Sequence, residues 1–315
     1  MKIVFMGTPE FAVPSLKILV ESGYDVVAVI TATDKWGGRG NKKLLQSAIK
    51  KYAEQQGLLI MQPKNLKDPN FVKQLAALKA DLQVVVAFRM LPEIVWNMPP
   101  KGTLNLHGSL LPAYRGAAPI NRAVMQGEKE TGVTTFFLKH AIDTGDMLLQ
   151  DKISINDDET AGTVYNRLKE VGAELLLKSV DAVASDKYTL QVQDSLKVSH
   201  APKIYNEDCG IPFFKNSKVV HNFIRGLSPY PTAWTVLDGE KLKIFEASYS
   251  LEAHDLACGT LVTDAKKYLK IATKDGFVWI KDLQLNKRKR MTINSFLNGY
   301  SIQELSVPSL QPLDK

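Results

Sequence analysis

Short apolar segments alternate with helical segments through the first half of the chain, and this alternation limits the possible folds more than any other feature. Four strand candidates stand out: KIVFMG at 2–7, DVVAVIT at 25–31, LQVVVAF at 82–88 and GTLNLHG at 102–108. Apolar, β-branched runs separated by helices are typical of a parallel sheet that is covered on both faces. The pattern predicts an α/β fold with a Rossmann-like, mostly parallel sheet and helices on both faces.

Local signals predict where the helix after the first strand begins and ends. Thr8 is a suitable N-cap, and Pro9 suits the first helical position because proline has no backbone N–H to leave unpaired. Gly23 favours the left-handed conformation in which helices commonly end. These signals predict a helix between residues 9 and 22.

From about residue 206 the pattern changes to short strands that are separated by turns. The strand candidates are AWTVL, KLKIFEASY, GTLVT, YLKIAT and GFVWIKDLQL. Asp238-Gly239 and Asp275-Gly276 are turn signals between them, and one helical run, NSKVVHNFIRGL, precedes them. This predicts a small OB-like β-barrel domain at 206–315, after a linker at 190–205 and an α/β domain at 1–189.

Length, composition and charge agree with two ordinary globular domains. A chain of 315 residues is too long for the usual single core. It contains two cysteines, Cys209 and Cys258, without a CxxC motif, and no apolar stretch reaches the roughly 18 residues of a membrane span. We therefore expect a cytoplasmic protein that does not bind a membrane. The net charge of +7 is compatible with a polyanionic partner but does not by itself require one.

The fourth strand candidate ends in Asn105 and His107, which are two residues apart. An extended strand places both side chains on one face of the sheet. Open α/β sheets bind ligands beyond the carboxyl ends of their strands, so this pair lies where a ligand is expected. A plainer interpretation is that a polar strand end only forms hydrogen bonds with the loop that follows it.

The segment HAIDTGDM at 140–147 offers Asp143 as an acceptor for an imidazole, although Asp143 could equally form an Asx-turn with its own backbone. An amide and a charged imidazole beside a carboxylate suit stabilisation of an oxyanion and transfer of a proton, as in acyl transfer. No serine or cysteine stands as an obvious nucleophile, so the acceptor is expected to be an amine or water. Neither zinc-ligand spacing nor G-x-G-x-x-G occurs, so we expect no metal and no dinucleotide.

A basic stretch at 35–51 contains six cations and no acidic residue. Such a run is usually a solvated loop and helix face. The glycines on either side of Arg39 favour a second interpretation, a mobile basic arm.

These motifs resemble a known family. LNLHGSLLPAYRGAAPINRAV at 104–124, followed by TGVT and IDTGDM, is similar to the formyltransferases that use 10-formyltetrahydrofolate. The resemblance runs essentially from end to end. It implies a catalytic trio of Asn105, His107 and Asp143. It also implies contacts with the folate from Ser109, Leu110, Leu111, Pro112, Phe88, Arg89 and Met90.

GTPEFAVPSL, the GGRGNKK insertion and a carboxyl-terminal barrel resemble the family members that formylate methionyl initiator tRNA. For this chain that implies formyl transfer to the methionyl α-amino group. 10-Formyltetrahydrofolate is then a cosubstrate that leaves as tetrahydrofolate, with no metal and no obligate protein partner. The tRNA contacts implied or suggested by charge are Arg39, Lys42, Lys43, Lys287, Arg288, Lys289 and Arg290, although 287–290 could equally be an exposed solubilising loop.

Other functions remain open from the sequence. Glycinamide ribonucleotide formyltransferase needs only the catalytic domain, so the barrel argues against it. An amino-sugar formyltransferase can carry a similar barrel, and a formyltetrahydrofolate hydrolase uses water as acceptor. From a different class, the chain could be an inactive RNA-binding adaptor in which the trio is structural. A turnover assay with several acceptors distinguishes these possibilities.

Overall fold

The computed structural model describes residues 1–37 and 43–300, which form two compact units. The first unit comprises Met1–Gly116, Gly132–Ile153 and Tyr165–His200. The second comprises Ala117–Thr131, Ser154–Val164 and the described residues from Ala201 onward. The two units therefore interleave along the chain. The division into functional domains at 189 and 206 stays a prediction.

A seven-stranded, mostly parallel sheet organises the first unit. The strands of the first two hundred residues are β1 (Lys2–Gly7), β2 (Asp25–Ile30), β3 (Lys35–Gly37), β4 (Lys43–Leu45), β5 (Ile60–Met61), β6 (Leu82–Val86), β7 (Thr103–His107), β8 (Glu130–Phe137) and β9 (Met147–Ser154). The sheet order is β5-β2-β1-β6-β7-β8-β9, while β3 and β4 form a separate hairpin. The four pairings from β5 to β7 are parallel, and β7 pairs with β8 in antiparallel orientation. The predicted α/β class is confirmed.

Helices cover both faces of this sheet. The helices of the first two hundred residues are α1 (Val13–Glu21), α2 (Ala48–Gln55), α3 (Pro69–Ala77), α4 (Glu93–Trp96), α5 (Pro119–Gln126) and α6 (Ala161–Ala184), of which α5 belongs to the second unit. Phe71 of α3 and Val95 of α4 share a buried cluster with Val85 of β6. On the other face, Gly172 of α6 lies so close to Leu106 that an added Cβ would be 2.9 Å from its methyl carbon.

The side chains of β7 alternate between these two faces of the sheet. Asn105 is the register partner of Val85, so it lies on the face that α3 and α4 cover. Leu106 points to α6 instead. Because side chains alternate along a strand, His107 shares the face of Asn105.

The predicted start of the first helix is wrong. Pro9 is extended, with φ −79° and ψ 174°, and Glu10–Ala12 forms a short 3₁₀ turn before α1 begins at Val13. Pro14 occupies the start of α1, where its missing N–H costs no intrahelical bond, so this second proline marks the beginning. Gly23 does adopt a left-handed φ of 78° just after the helix.

The second unit contains an antiparallel sheet, as predicted. Its later elements are α7 (Ser217–Leu227), β10 (Ala233–Leu237), β11 (Glu240–Leu251), β12 (Leu261–Thr263), β13 (Leu269–Ala272), β14 (Gly276–Leu285), β15 (Met291–Thr292) and α8 (Ile293–Gly299). The sheet order is β10-β11-β14-β13-β12, and β15 pairs with β14. A buried cluster joins these strands to α7 and α8, including Ile224, Ile244, Leu283 and Phe296.

The turn between β10 and β11 has the conformation that its sequence predicts. Asp238 and Gly239 both have positive φ, 50° and 75°, as the two central residues of a type I′ hairpin turn require. Across the described residues, no helix is both long and apolar enough to cross a membrane.

Candidate active site

The carboxyl end of β7 presents Asn105 and His107 at the same face of the sheet. Asn105 lies between Val85 of β6 and Phe136 of β8 in the strand register and is half-buried. Its side-chain amide forms no hydrogen bond with residues 1–37 or 43–300. His107 is 7% exposed. The strand therefore offers an uncommitted amide beside a sequestered imidazole.

The loop after β7 orients the imidazole. Tyr114 adopts a left-handed φ of 60°, and its carbonyl oxygen lies 2.9 Å from Nε2 of His107. Because a carbonyl can only accept, Nε2 carries the proton of this hydrogen bond. The loop is braced by the Ser109 hydroxyl, which donates to the Ala113 carbonyl at 2.6 Å. The remaining ring nitrogen, Nδ1, is thus left to face the third member of the predicted trio.

Asp143 occupies that position. Its Oδ2 lies 3.9 Å from Nδ1 of His107, and the same oxygen accepts a hydrogen bond from the Gly116 backbone N–H at 2.9 Å. A separation of 3.9 Å permits an ion pair but exceeds a hydrogen bond. Asp143 is bonded to the loop after β7 and not to its own backbone, so the Asx-turn alternative is not observed. The structure brings the three predicted residues together.

The loop that carries Asp143 depends on Gly145. A Cβ on Gly145 would lie 1.6 Å from the Phe137 carbonyl oxygen, a distance that no side chain can occupy. Asp143 itself has a left-handed φ of 55°. Aspartate is one of the few non-glycine residues that adopt this conformation readily.

The SLLP segment that is predicted to contact folate is mostly committed to packing. Ser109 is fully buried and Leu111 is 3% exposed. Leu111 packs against Phe136 and Met147, and a cis peptide bond joins it to Pro112. Leu110 packs over Gly132, where an added Cβ would lie 2.5 Å from its methyl carbon. These side chains define the shape of the loop, and their contact with folate stays a prediction.

The segment 88–90 leaves the carboxyl end of β6. Phe88 packs on the cluster between the sheet and α3. The Arg89 guanidinium donates to the carbonyl oxygens of Pro63 and Lys64, and Met90 is 77% exposed. Residues 64–67 and 89–93 line an open groove. Arg89 and Met90 are both exposed, and the Met90 side chain is accessible to a ligand in this groove.

The predicted tRNA contacts fall into two places. Arg39 and Lys42 lie outside the described residues, and Lys43 is exposed on β4. Lys287, Arg288, Lys289 and Arg290 are exposed in the turn between β14 and β15. Arg290 forms a two-point ion pair with Asp282, at 3.0 and 2.9 Å, and its guanidinium lies over the Phe245 ring. This pairing partly neutralises the basic turn.

Two residues that the sequence analysis did not assign join the site. Arg115 follows Tyr114 in the loop after β7, and its guanidinium donates to the side chain of Gln193. Gln193 in turn donates to the backbone of the Asp143 loop. Arg115 lay inside a motif, but a lone glutamine in a segment without periodicity gives no signal in the sequence.

In the described part of the chain, no three His, Cys, Asp or Glu side chains are grouped as a metal site would require.

Family comparisons match nearly the whole chain. Residues 1–180 match the family model described as formyl transferase, and residues 203–301 match formyl transferase, C-terminal domain. A methionyl-tRNA formyltransferase from Bacteroides thetaiotaomicron is 50% identical over 313 residues, covering 96% of this chain and 97% of that protein. One from Parabacteroides distasonis is 50% identical over 310 residues, covering 95% and 96%.

A solved structure shares the fold. The N-formyltransferase from Helicobacter canadensis, in complex with folinic acid and dTDP-3-aminofucose, gives a TM-score of 0.67 at 21% identity. The match covers 92% of this chain and all of that one. At this identity the similarity concerns the fold alone.

Proposed function

The chain belongs to the formyl transferase family, and on that premise we propose that it transfers the formyl group of 10-formyltetrahydrofolate to the α-amino group of methionyl initiator tRNA. The observation that carries the proposal is the arrangement at the end of β7, where Asn105 and His107 share a face and Asp143 Oδ2 lies 3.9 Å from the imidazole. Identity of about half over nearly the full length to relatives with this name supports the choice of acceptor.

The chemistry needs a donor for a developing oxyanion. The methionyl amine must be neutral to attack the formyl carbon, and α-amino groups titrate at about 8, so a useful fraction is free base at neutral pH. Negative charge then develops on the formyl oxygen. The Asn105 amide, which is half-buried and has no described hydrogen-bond partner, donates to that oxygen.

His107 contributes mainly through its charge. Because Nε2 already donates to the Tyr114 carbonyl, the imidazolium stabilises the oxyanion as a nearby positive charge. Asp143 faces Nδ1, stabilises the imidazolium and takes part in removing the amine proton. No side chain of the trio forms a covalent bond with the formyl group in this scheme.

The cosubstrate is placed against the segments that the motifs indicate. Tetrahydrofolate leaves as the product, so the folate is not a resident prosthetic group. We assign its contacts to the loop at Ser109, Leu110, Leu111 and Pro112 and to the segment at Phe88, Arg89 and Met90. The exposed side chain of Met90 supports this assignment.

The acceptor explains the basic character of the chain. We assign 1–189 as the catalytic domain, 206–315 as the tRNA-binding domain and 190–205 as the segment between them. Phosphate contacts are proposed for Lys43 and for Lys287, Arg288, Lys289 and Arg290, which are exposed cations, and for Arg39 and Lys42. We assign the enzyme to the cytoplasm, and the proposal needs no protein partner.

A comparison of acceptors tests the proposal. The purified protein is incubated with 10-formyltetrahydrofolate and one of three acceptors: methionyl initiator tRNA, glycinamide ribonucleotide or a nucleotide amino-sugar. We expect formylated product with the tRNA alone. Transfer to either small acceptor without transfer to the tRNA would refute the assignment, as would formate release that does not depend on an acceptor.

A further inference from the structure

The side chain of Gln193 connects the two loops that form the candidate active site. Its Nε2 donates to the carbonyl oxygens of Asp143, at 2.9 Å, and Gly145, at 2.8 Å. Its Oε1 accepts from Nε of Arg115 at 3.0 Å and from Nη2 at 2.6 Å. With 9% of its surface exposed, Gln193 is among the buried polar residues of the first unit. We call Gln193 with Arg115, Asp143 and Gly145 the Gln193 bridge.

The chemistry of this bridge selects glutamine. One end must accept two hydrogen bonds from a guanidinium, and the other must donate two to backbone carbonyls. A carboxylate cannot donate and an ammonium cannot accept, whereas a primary amide does both. The bridge uses both amide hydrogens and the amide oxygen, so the side chain is fully committed.

The contacts of the bridge converge on the geometry of the catalytic pair. On one side, Gln193 binds the carbonyl of Asp143 itself, which adopts a left-handed φ of 55°. On the other side, it binds Arg115, which lies between Tyr114 and Gly116. The Tyr114 carbonyl accepts from His107, and the Gly116 N–H donates to the Asp143 carboxylate. The bridge therefore contacts the segments that orient both members of the pair.

The backbone around Gln193 is fixed to the same two loops. Gln191 exchanges backbone hydrogen bonds with Met147, at 2.8 Å each way. The Ser199 hydroxyl accepts from the Tyr114 N–H, and the Ser199 carbonyl accepts from the Arg115 N–H, both at 2.9 Å. Residues 191–199 thus cross from the Asp143 loop to the loop after β7. Gln193 therefore lies between two residues, Gln191 and Ser199, that are hydrogen-bonded to the two loops.

We propose that Gln193 is a positioning residue for formyl transfer: it holds the Asp143 loop against the loop after β7 so that the Asp143 carboxylate faces Nδ1 of His107. The expected effect on kcat rests on the proposed function, whereas the role of Gln193 in holding the two loops together does not. Catalytic groups need placement to within about 0.5 Å, and a misplacement of about 1 Å can lower a rate by about 100-fold. Gln193 touches no reacting atom and acts through Asp143.

The test compares two identical substitutions two residues apart. Gln193→Leu removes the bridge, while Gln191→Leu changes an exposed side chain whose bonds to Met147 are formed by its backbone alone. We expect Gln193→Leu to lower kcat by about 10- to 100-fold, with KM for folate and for tRNA within about 3-fold of wild type. Gln191→Leu keeps wild-type values. Gln193→Glu, which keeps the shape and loses both donors, should resemble Gln193→Leu and serves if the leucine variant does not fold.

A double-mutant cycle separates positioning from general stability. If Gln193 acts through Asp143, Gln193→Leu should cost less than about 2-fold further in an Asp143→Asn background. A loss of the full single-variant factor in that background would overturn the proposal. So would a fall in kcat for Gln191→Leu that equals the fall for Gln193→Leu.

Amide hydrogen exchange keeps the two proposals distinguishable. In Gln193→Leu, amides of residues 143–147 should exchange faster than in wild type, while those of β1 and β6 stay unchanged. Unchanged exchange in 143–147 would reject the bridge even if the enzyme were active. If residues 143–147 exchange faster in Gln193→Leu but the wild-type protein transfers no formyl group, only the proposed function is rejected.

Discussion

At the scale of single residues, the side chains of the site differ in whether they already form hydrogen bonds within the protein. His107 is fixed by the Tyr114 carbonyl, and Asp143 is fixed by the Gly116 N–H. Asn105 has no described hydrogen-bond partner and is half-buried. An uncommitted amide at a strand end can accept a new partner without breaking an existing bond, which is what an oxyanion donor requires.

This difference leads to a prediction for Asn105. Asn105→Ala should lower turnover by roughly two to three orders of magnitude, the loss typical of one oxyanion donor. Because the amide makes no described hydrogen bond, the thermal unfolding midpoint should change little. Steady-state kinetics and circular dichroism measure the two effects. Near-normal turnover in a folded variant would remove Asn105 from the catalytic trio.

A second residue-scale prediction concerns stability and pH in the second unit. His221 of α7 is 4% exposed and lies 5.3 Å from the Tyr249 ring, with Arg225, Asp158 and Lys281 as the charged groups around it. Burial lowers the pKa of His221, and the positive charge of Arg225 lowers it further. The unfolded chain, with an ordinary histidine pKa of about 6.5, binds the proton more readily than the folded protein does.

The folded state therefore loses stability as the pH falls below about 6.5, and this contribution is fully present above that pH. We expect the urea midpoint of the second unit to decrease between pH 7.5 and 5.5. The side chain in His221→Gln cannot be protonated. The urea midpoint of this variant should therefore decrease less than that of wild type between pH 7.5 and 5.5. The same pH dependence in wild type and His221→Gln would show that another group causes it.

At the scale of elements, a backbone contact fixes the loop between β8 and β9. Gly145 approaches the Phe137 carbonyl so closely that a methyl group would lie 1.6 Å from the oxygen, and a backbone atom cannot move aside as a flexible side chain does. The same loop carries Asp143 and contacts Gln193 through both Asp143 and Gly145. The close approach of Gly145 to Phe137 therefore affects both the stability of this loop and the position of Asp143.

We expect Gly145→Ala to displace the loop. Turnover should fall by at least about 10-fold, and the thermal midpoint should decrease. Gly299→Ala is the matched control, because a Cβ there meets no described atom within 4 Å and its φ is ordinary, so it should leave both quantities near wild type. Kinetics and thermal unfolding of the two variants decide the matter. Wild-type behaviour of Gly145→Ala would mean that the close approach can relax.

At the scale of the whole molecule, the second unit is built from three stretches of chain. α5 belongs to it, and its residues Ile120, Ala123 and Val124 are buried. Gly226 of α7 approaches Met125 closely, with an added Cβ 2.7 Å from the Met125 backbone nitrogen. Arg225 donates to the carbonyl oxygens of Asn156 and Glu159, which belong to the same unit. The segments 117–131 and 154–164 therefore depend on residues beyond 200.

This organisation predicts the behaviour of a truncated chain. A fragment that ends at residue 205 lacks α7 and the antiparallel sheet, so α5 loses the surface that buries its apolar side chains. We expect the fragment to be much less stable than the full chain, or to aggregate, because burial of each large apolar side chain contributes about 1.5–3 kcal/mol. Expression followed by thermal unfolding provides the measurement. Cooperative unfolding of the fragment at the full chain's midpoint would contradict the expectation.

Local sequence determined the strands, and with them the place of the site. β10 and β14 begin and end where their patterns predict, since period-2 and β-branched patterns report directly on burial in a sheet. The shared face of Asn105 and His107 followed from the two-residue repeat of a strand. The ligand-binding end of the sheet followed from its parallel class. Each of these is a property of a few consecutive residues.

Tertiary structure decided what depends on residues far apart in the chain. The start of α1 at Val13, the pairing of Arg290 with Asp282 and the membership of α5 in the second unit carry no local pattern. Gln193 is the clearest case, because its four hydrogen bonds reach residues 48 to 78 positions away. A side-chain amide has no periodicity that marks its partners. Its role exists only once the fold has brought the two loops to opposite ends of that amide.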